Sequence, residues 1–159
     1  MFEKFGEFDS VEELNMAAAG FLKEGDIESL YGLAEENGID KEDVEDYEDG
    51  VVEKLATLSM AVHGRLNVES KEIKDNKQAM DIILLMIRGM CEDEELQKAI
   101  LRKGKRAENI FKKMREEASK NKAGNMAVAC GTDKQLREII KIYYLGTEKE
   151  LKEKLESLY

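Results

Sequence analysis

The chain has 159 residues, 42% hydrophobic and 38% charged, which is one domain or two small ones sharing an interface. It holds no Trp, few aromatics and no Pro, where average Pro usage of about 5% gives roughly eight; this argues against a β-sandwich or a base-stacking platform and favours capped helices with tight connections. The net charge of −10 is sorted by position: residues 1–60 carry 18 Asp/Glu against 4 Lys/Arg, residues 61–100 carry 8 against 6, and residues 101–159 carry 9 against 15.

Helix starts and stops are readable almost in series. Ser10 with Glu13 makes a capping-box pattern, followed at helical spacing by Val11, Leu14, Ala17, Ala18, Phe21 and Leu22. Gly25 stops that helix. Asp26 caps a second, with Ile27, Leu30, Tyr31, Leu33 and Ala34 inward, and Asn37-Gly38 is a left-handed stop. Asp40 caps a third, short helix with Val44 and Tyr47 as its apolar positions. After a break at Asp49-Gly50, Val51, Val52, Leu55, Leu58 and Val62 continue as helix to about Gly64. Residues 65–70 read as a connector and as a subdomain boundary.

A long helix is predicted from about Lys71 to Cys91, apolar nearly all round in its second half and therefore central to the core. Asp93–Arg102 reads as a short helix. Ala107, Ile110, Phe111, Met114 and Ala118 mark another, against a basic outer face reaching Lys122. Gly124–Gly131 suits either an extended crossing or more helix. Thr132 or Asp133 opens a helix holding Leu136, Ile139, Ile140, Tyr143 and Tyr144, which Gly146 ends. Thr147 with Glu150 opens a last one with Leu151, Leu155 and Leu158. The fold expected is all-α, about eight or nine short helices in a compact bundle of two packed subdomains: an acidic one at 1–65 and one with a basic face at 70–159.

The acidic run from Asp40 to Gly50 invites a calcium reading. With Gly50 at position six of an EF-hand loop, position three is Tyr47 and position twelve is Ala56; neither supplies the required carboxylate, so a standard EF-hand is rejected. The run reads as a solvated helix face or as a surface that imitates nucleic-acid phosphates, carried by Glu42, Asp43, Glu45, Asp46, Glu48 and Asp49. His63 is the only histidine and has no nucleophile or metal-ligand motif beside it; its place near a helix end suits a partly buried or dipole role. Cys91 and Cys130 read as small, reduced core residues. Met80, Met86, Met90 and Met114 read as core packing.

Residues 101–122 form a credible phosphate surface through Arg102, Lys103, Lys105, Arg106, Lys112, Lys113 and Arg115; the preferred reading is an ordinary solvated face or an intramolecular partner for the acidic half. No P-loop pattern accompanies Lys103-Gly104-Lys105-Arg106. Met1-Phe2-Glu3-Lys4-Phe5 lacks the basic and apolar regions of a secretory signal, and Ile82–Ile87 is far shorter than the ~18 residues of a membrane span, so a cytoplasmic location is expected. No cofactor, metal or catalytic set is expected.

Ala107–Tyr144 resembles the PcfK-like proteins of mobile elements. The resemblance lies in a helix with Phe111, Met114 and Ala118, a Gly124-centred turn, the short apolar Met126-Ala127-Val128, Asp133, and a helix ending in Tyr143-Tyr144. The chain departs from the family's pattern in having no Trp or His before the paired tyrosines. The resemblance implies a helical protein of conjugative plasmids or phages, and some members of that family are anti-CRISPR inhibitors of the RNA-guided nuclease of type II systems. The function expected is therefore a non-enzymatic inhibitor that occupies a basic nucleic-acid channel of a CRISPR effector with the six carboxylates. The alternative is a nucleic-acid-binding accessory protein that uses residues 102–122.

Overall fold

Capping chemistry sets the helix boundaries. The computed structural model describes residues 2–120 and 131–158. Among these it holds α1 (Val11–Glu24), α2 (Ile27–Glu36), α3 (Lys41–Glu48), α4 (Leu58–Glu72), α5 (Lys77–Arg88), α6 (Glu94–Leu101), α7 (Ala107–Lys120), α8 (Asp133–Leu145) and α9 (Glu148–Glu156), and no strand. The fold is all-α. Residues 121–130, with the ambiguous Gly124 turn and Cys130, lie outside the described residues.

Ser10 Oγ accepts from Glu13 N at 3.2 Å and Asp26 Oδ1 from Ser29 N at 3.1 Å. Thr132 with Gln135 and Thr147 with Glu150 form reciprocal capping boxes at α8 and α9. Asp40 stands at the N-cap position of α3, but its side chain makes no capping hydrogen bond, contrary to the expectation. Helices α1, α2 and α3 each end in a Schellman turn on Gly25, Gly38 and Gly50, all at positive φ.

The chain divides into two compact units, Met1–Glu72 with Ile100–Gly104, and Ile73–Ala99 with Lys105–Tyr159. In the first, α4 corrects the sequence reading twice. Residues 51–57 are bends and loop rather than helix, because Gly50 turns the chain and Asn15 grips the Ala56 backbone in both directions (2.8 and 3.0 Å). Thr57 Oγ1 then accepts from Met60 N (3.2 Å) at the start of α4. The expected connector at 65–70 is instead the second half of α4, with Arg65, Leu66 and Glu69 all buried.

Arg65 is the reason a charged residue tolerates that burial. Its guanidinium pairs with the Glu7 carboxylate, donates to Phe8 O (3.2 Å) and Leu101 O (3.3 Å), and lies 4.6 Å from the Phe2 ring centroid. One side chain thus ties the N-terminal segment and the 100–104 segment to α4. Glu7 also accepts from Gly104 N (3.3 Å), and Asp9 from Lys103 N (2.9 Å). On another part of α4, Gly64 meets the Asn37-Gly38 turn backbone to backbone, so close that neither glycine has room for a Cβ.

In the second unit, α5 starts at Lys77 rather than near Lys71. Ile73 falls in the link between α4 and α5, and Asn76, at φ 54°, turns the chain into α5. Met80, Ile83, Leu84 and Ile87 are buried on the side of α5 that packs against α7 and α8. The opposite side is not core, again contrary to expectation: Leu85 is 71% exposed and Ile82 54%. Tyr143 and Tyr144 are buried edge to face, their ring centroids 5.0 Å apart. The Tyr143 hydroxyl accepts from Arg106 N (3.1 Å) and Asn109 Nδ2 (3.3 Å), fixing the start of α7 to α8. The paired tyrosines are therefore core.

Candidate partner-binding face

Helix α3 turns Val44 and Tyr47 inward, 1% and 7% exposed. That spacing of three directs the intervening carboxylates outward. Glu42, Glu45, Asp46, Glu48 and Asp49 are exposed and Asp43 is half-buried. All six predicted residues are therefore on one short element and its C-cap. Tyr47, at the third position of the rejected calcium loop, is packed in the core, and no group of three or more His, Cys, Asp or Glu is placed to hold a metal among the described residues.

Few cations answer this charge. Lys41 Nζ lies 2.9 Å from Glu45, which holds the lysine above its ordinary range, and Tyr31 Oη donates to Glu48 at 3.2 Å. Glu42, Asp43, Asp46 and Asp49 make no ion pair among the described residues. The carboxylates of the first turn, Glu42 and Asp43, suit the positive end of the helix dipole. Glu48 and Asp49 sit at the opposite end, with no basic residue in the last turn, where a negative charge is unfavourable by about 0.3–1 kcal/mol. Like charges also stand three or four residues apart at Glu42/Asp46, Asp43/Asp46 and Glu45/Glu48, each such pair costing about 0.2–0.5 kcal/mol. Apart from the Tyr31 hydrogen bond to Glu48, the C-terminal carboxylates of α3 therefore oppose its stability rather than support it.

Burial first, then the charges of Asp40, Asp46 and Glu42, hold the Asp43 carboxyl above the ordinary carboxylate range. Asp43 binds its proton more tightly folded than unfolded, so its contribution to stability falls as pH rises through the elevated folded value. Asp43→Asn removes this loss. The variant is expected to melt about 1–2 °C above the wild type at neutral pH, with the gap closing as the solution is acidified. Paired thermal melts across a pH series check it.

Beside the carboxylates lies a cleft of about 390 Å³, lined in part by Asp43, Asp46, Val52, Glu53, Leu55 and Met60. Val52, which lines it with the exposed Glu53 and Lys54, is 41% exposed, and the neighbouring Val51 is 69% exposed. Leu55 and Ala56 are buried, and the Ala56 backbone, held by Asn15, fixes the loop that carries these valines. The sequence reading missed this cleft because it continued a helix through 51–57. The available signal was Gly50 followed by an apolar residue, the pattern of a Schellman turn.

The basic stretch is divided between the two units. Arg102 and Lys103 belong to the first, and Lys103 Nζ approaches Glu13 at 3.7 Å. In the second, Lys105 donates to Tyr143 O (2.7 Å) and lies 4.7 Å from that ring's centroid, Lys113 pairs with Glu148 (2.7 Å), and Lys120 with Glu117 (2.7 Å). Arg106 is half-buried, while Arg102, Lys112 and Arg115 are exposed. His63 is exposed in the middle of α4, its Nδ1 2.8 Å from Ser59 O, rather than partly buried at a helix end. Cys91 is half-buried, its thiol donating to Ile87 O at 3.2 Å, and burial pushes the thiol up. Among the described residues no helix is long and apolar enough to cross a membrane.

Comparison with known proteins finds no matching family model, no similar curated protein and no similar solved structure. The chain is characterised instead by its own geometry: an all-α protein with an outward, self-repelling acidic helix end beside a cleft of mixed lining.

Proposed function

We propose that the chain is a non-enzymatic protein-binding inhibitor of phage or mobile-element origin, and that α3 binds a basic nucleic-acid channel of its target. The observation that carries this reading is the placement of Glu45, Asp46, Glu48 and Asp49. They are exposed on the C-terminal half and cap of α3, towards the helix end where negative charge is least favourable, with Lys41 as the one cation in ion-pair contact with them among the described residues. A Lys/Arg-rich groove supplies the missing countercharge. Complementary charge also raises the association rate and makes it sensitive to salt. Val52 and Met60, which line the cleft with Asp43 and Asp46, add an apolar contact next to the carboxylates, which a purely electrostatic face lacks. The PcfK-like rhythm of 107–144 supplies the target to test first, the RNA-guided nuclease of a type II CRISPR system.

The test is capture of that nuclease on the tagged chain, together with target-DNA cleavage in its presence. Capture and inhibition are expected with the wild type. Changing Glu42, Asp43, Glu45, Asp46, Glu48 and Asp49 to Lys is expected to weaken capture roughly 100-fold or more and to restore cleavage. No capture by the wild type, or inhibition unchanged in the variant, overturns the proposal. The basic stretch gives less support to nucleic-acid binding, since Lys103, Lys105, Lys113 and Lys120 already have acceptors within the chain.

A further inference from the structure

We infer that the cleft beside α3 receives a single arginine side chain of the protein partner, its guanidinium on Asp43 and Asp46 and its methylene stem against Val52, Leu55 and Met60. This rests on the reading of α3 as a partner-binding face and names the group that the face takes. Asp43 and Asp46 stand one helical turn apart, and both line the cleft. Side chains at that spacing have Cβ atoms about 5–6 Å apart, a span that one planar guanidinium bridges with separate N–H edges. Neither carboxylate makes an ion pair among the described residues. Asp43 is half-buried, and burial together with the charges of Asp40, Asp46 and Glu42 holds its carboxyl above the ordinary range. A cation in the cleft offsets that cost.

The rest of the lining suits the stem. Leu55 is buried, Met60 half-buried and Val52 exposed, and all three line the cleft. Their positions are fixed in advance. Val51 N and Val52 N donate to Asp46 O at 2.8 and 3.3 Å, which ties the loop to the helix that carries the aspartates. Met60 Sδ accepts from Thr57 N at 3.5 Å. Glu53 and Lys54, both exposed at the same cleft, offset each other, so its net charge is that of the two aspartates. Its 390 Å³ stands at the small end of the roughly 300–1,000 Å³ of ligand pockets, which suits one side chain and not a helix. An anion meets repulsion here, and a wholly apolar group leaves the half-buried carboxylate desolvated and unpaired. A long side chain with an apolar stem and a cationic tip matches both parts of the lining. Arginine fits better than lysine, because its guanidinium serves two carboxylates at once and is more weakly hydrated, so it loses less on entry.

Amide NMR titration of the full chain with the peptide acetyl-Gly-Arg-Gly-amide, and with its Lys counterpart, tests it. The arginine peptide is expected to bind with a Kd on the order of 1 mM and to shift amides at 43–60 above all others, and the lysine peptide to bind at least about threefold more weakly. Asp43→Asn with Asp46→Asn is expected to weaken the arginine peptide at least about tenfold. Val52→Phe fills the cleft from an exposed position, keeps every carboxylate, and is expected to do the same. Glu48→Gln with Asp49→Asn, which changes as much charge outside the cleft, is expected to stay within about twofold of the wild type. Circular dichroism verifies the fold of each variant. No shift with the arginine peptide, shifts spread evenly over the acidic surface, equal binding of the two peptides, or wild-type binding by Val52→Phe overturns the inference. Capture of the nuclease separates this failure from that of the α3 reading. Capture by the wild type and equally by Val52→Phe overturns the cleft inference and leaves the reading of α3 standing. Peptide binding in the cleft without capture supports the cleft and overturns the choice of target.

Discussion

Replacing Arg65 with Ala is expected to destabilise the chain by about 3–5 kcal/mol, read as a fall in the urea midpoint followed by circular dichroism. Arg65 is 3% exposed, and its removal takes the guanidinium from the part-buried Glu7 carboxylate and from the carbonyls of Phe8 and Leu101. Losing one partner of a buried pair is worse than losing both, because the remaining charge keeps its desolvation penalty. Arg65→Ala combined with Glu7→Gln is therefore expected to be less destabilising than the sum of the two single changes. Arg65→Lys is expected to recover only part of the loss, since an ammonium cannot span the acceptors that the planar fork serves together. An unchanged midpoint in Arg65→Ala contradicts this account of α4.

Gly64→Ala is expected to cost about 3 kcal/mol, although Ala is the better helix former by about 1 kcal/mol. A Cβ at position 64 runs into Asn37 O and lies 3.0 Å from Gly38 O, and both neighbours are backbone, which cannot swing aside. Gly38→Ala meets the same contact from the other side and adds backbone strain. A Cβ on Gly38 lies 2.6 Å from Gly64 O, and residue 38 holds φ at +68°, which an L side chain adopts only under strain. Gly20→Ala, inside α1 with nothing within 4 Å of the added carbon, is the control. It is expected to leave stability unchanged or raise it by up to about 1 kcal/mol. Thermal melts of the three variants check both expectations; a Gly64→Ala chain as stable as the wild type refutes the close approach.

What the sequence revealed was local. Ser10, Asp26, Thr132 and Thr147 act within three residues of themselves, and Gly25, Gly38 and Gly50 stop helices through their own backbone conformation. The course of α4 was not legible, because Arg65 and Glu69 look like connector residues until their surroundings are known. The partners of Arg65 stand 36 to 58 residues away. The outer face of α5 was misread for a related reason. Apolar periodicity shows which positions avoid water, but not which of two apolar sides has a neighbour. For α3, the sequence showed the excess of carboxylates and their identity. It did not separate those that support the helix from those that oppose it, which depends on where the helix ends. Nor could it show the cleft, which joins Asp43, Val52 and Met60 across a loop taken for helix.

The role of α3 rests on charge placement, so the most direct test changes charge and little else. Titrating the purified type II nuclease with the chain, in a target-cleavage assay at low and at physiological salt, compares the wild type with a variant carrying Gln at 45 and 48 and Asn at 46 and 49. These neutral substitutions remove several repulsions and one exposed ion pair, Lys41 with Glu45, and are expected to leave the helix about as stable. The account predicts that the wild type inhibits, that salt weakens the inhibition, and that the neutral variant inhibits at least about tenfold less. Equal inhibition by the two proteins, or none by either, contradicts it.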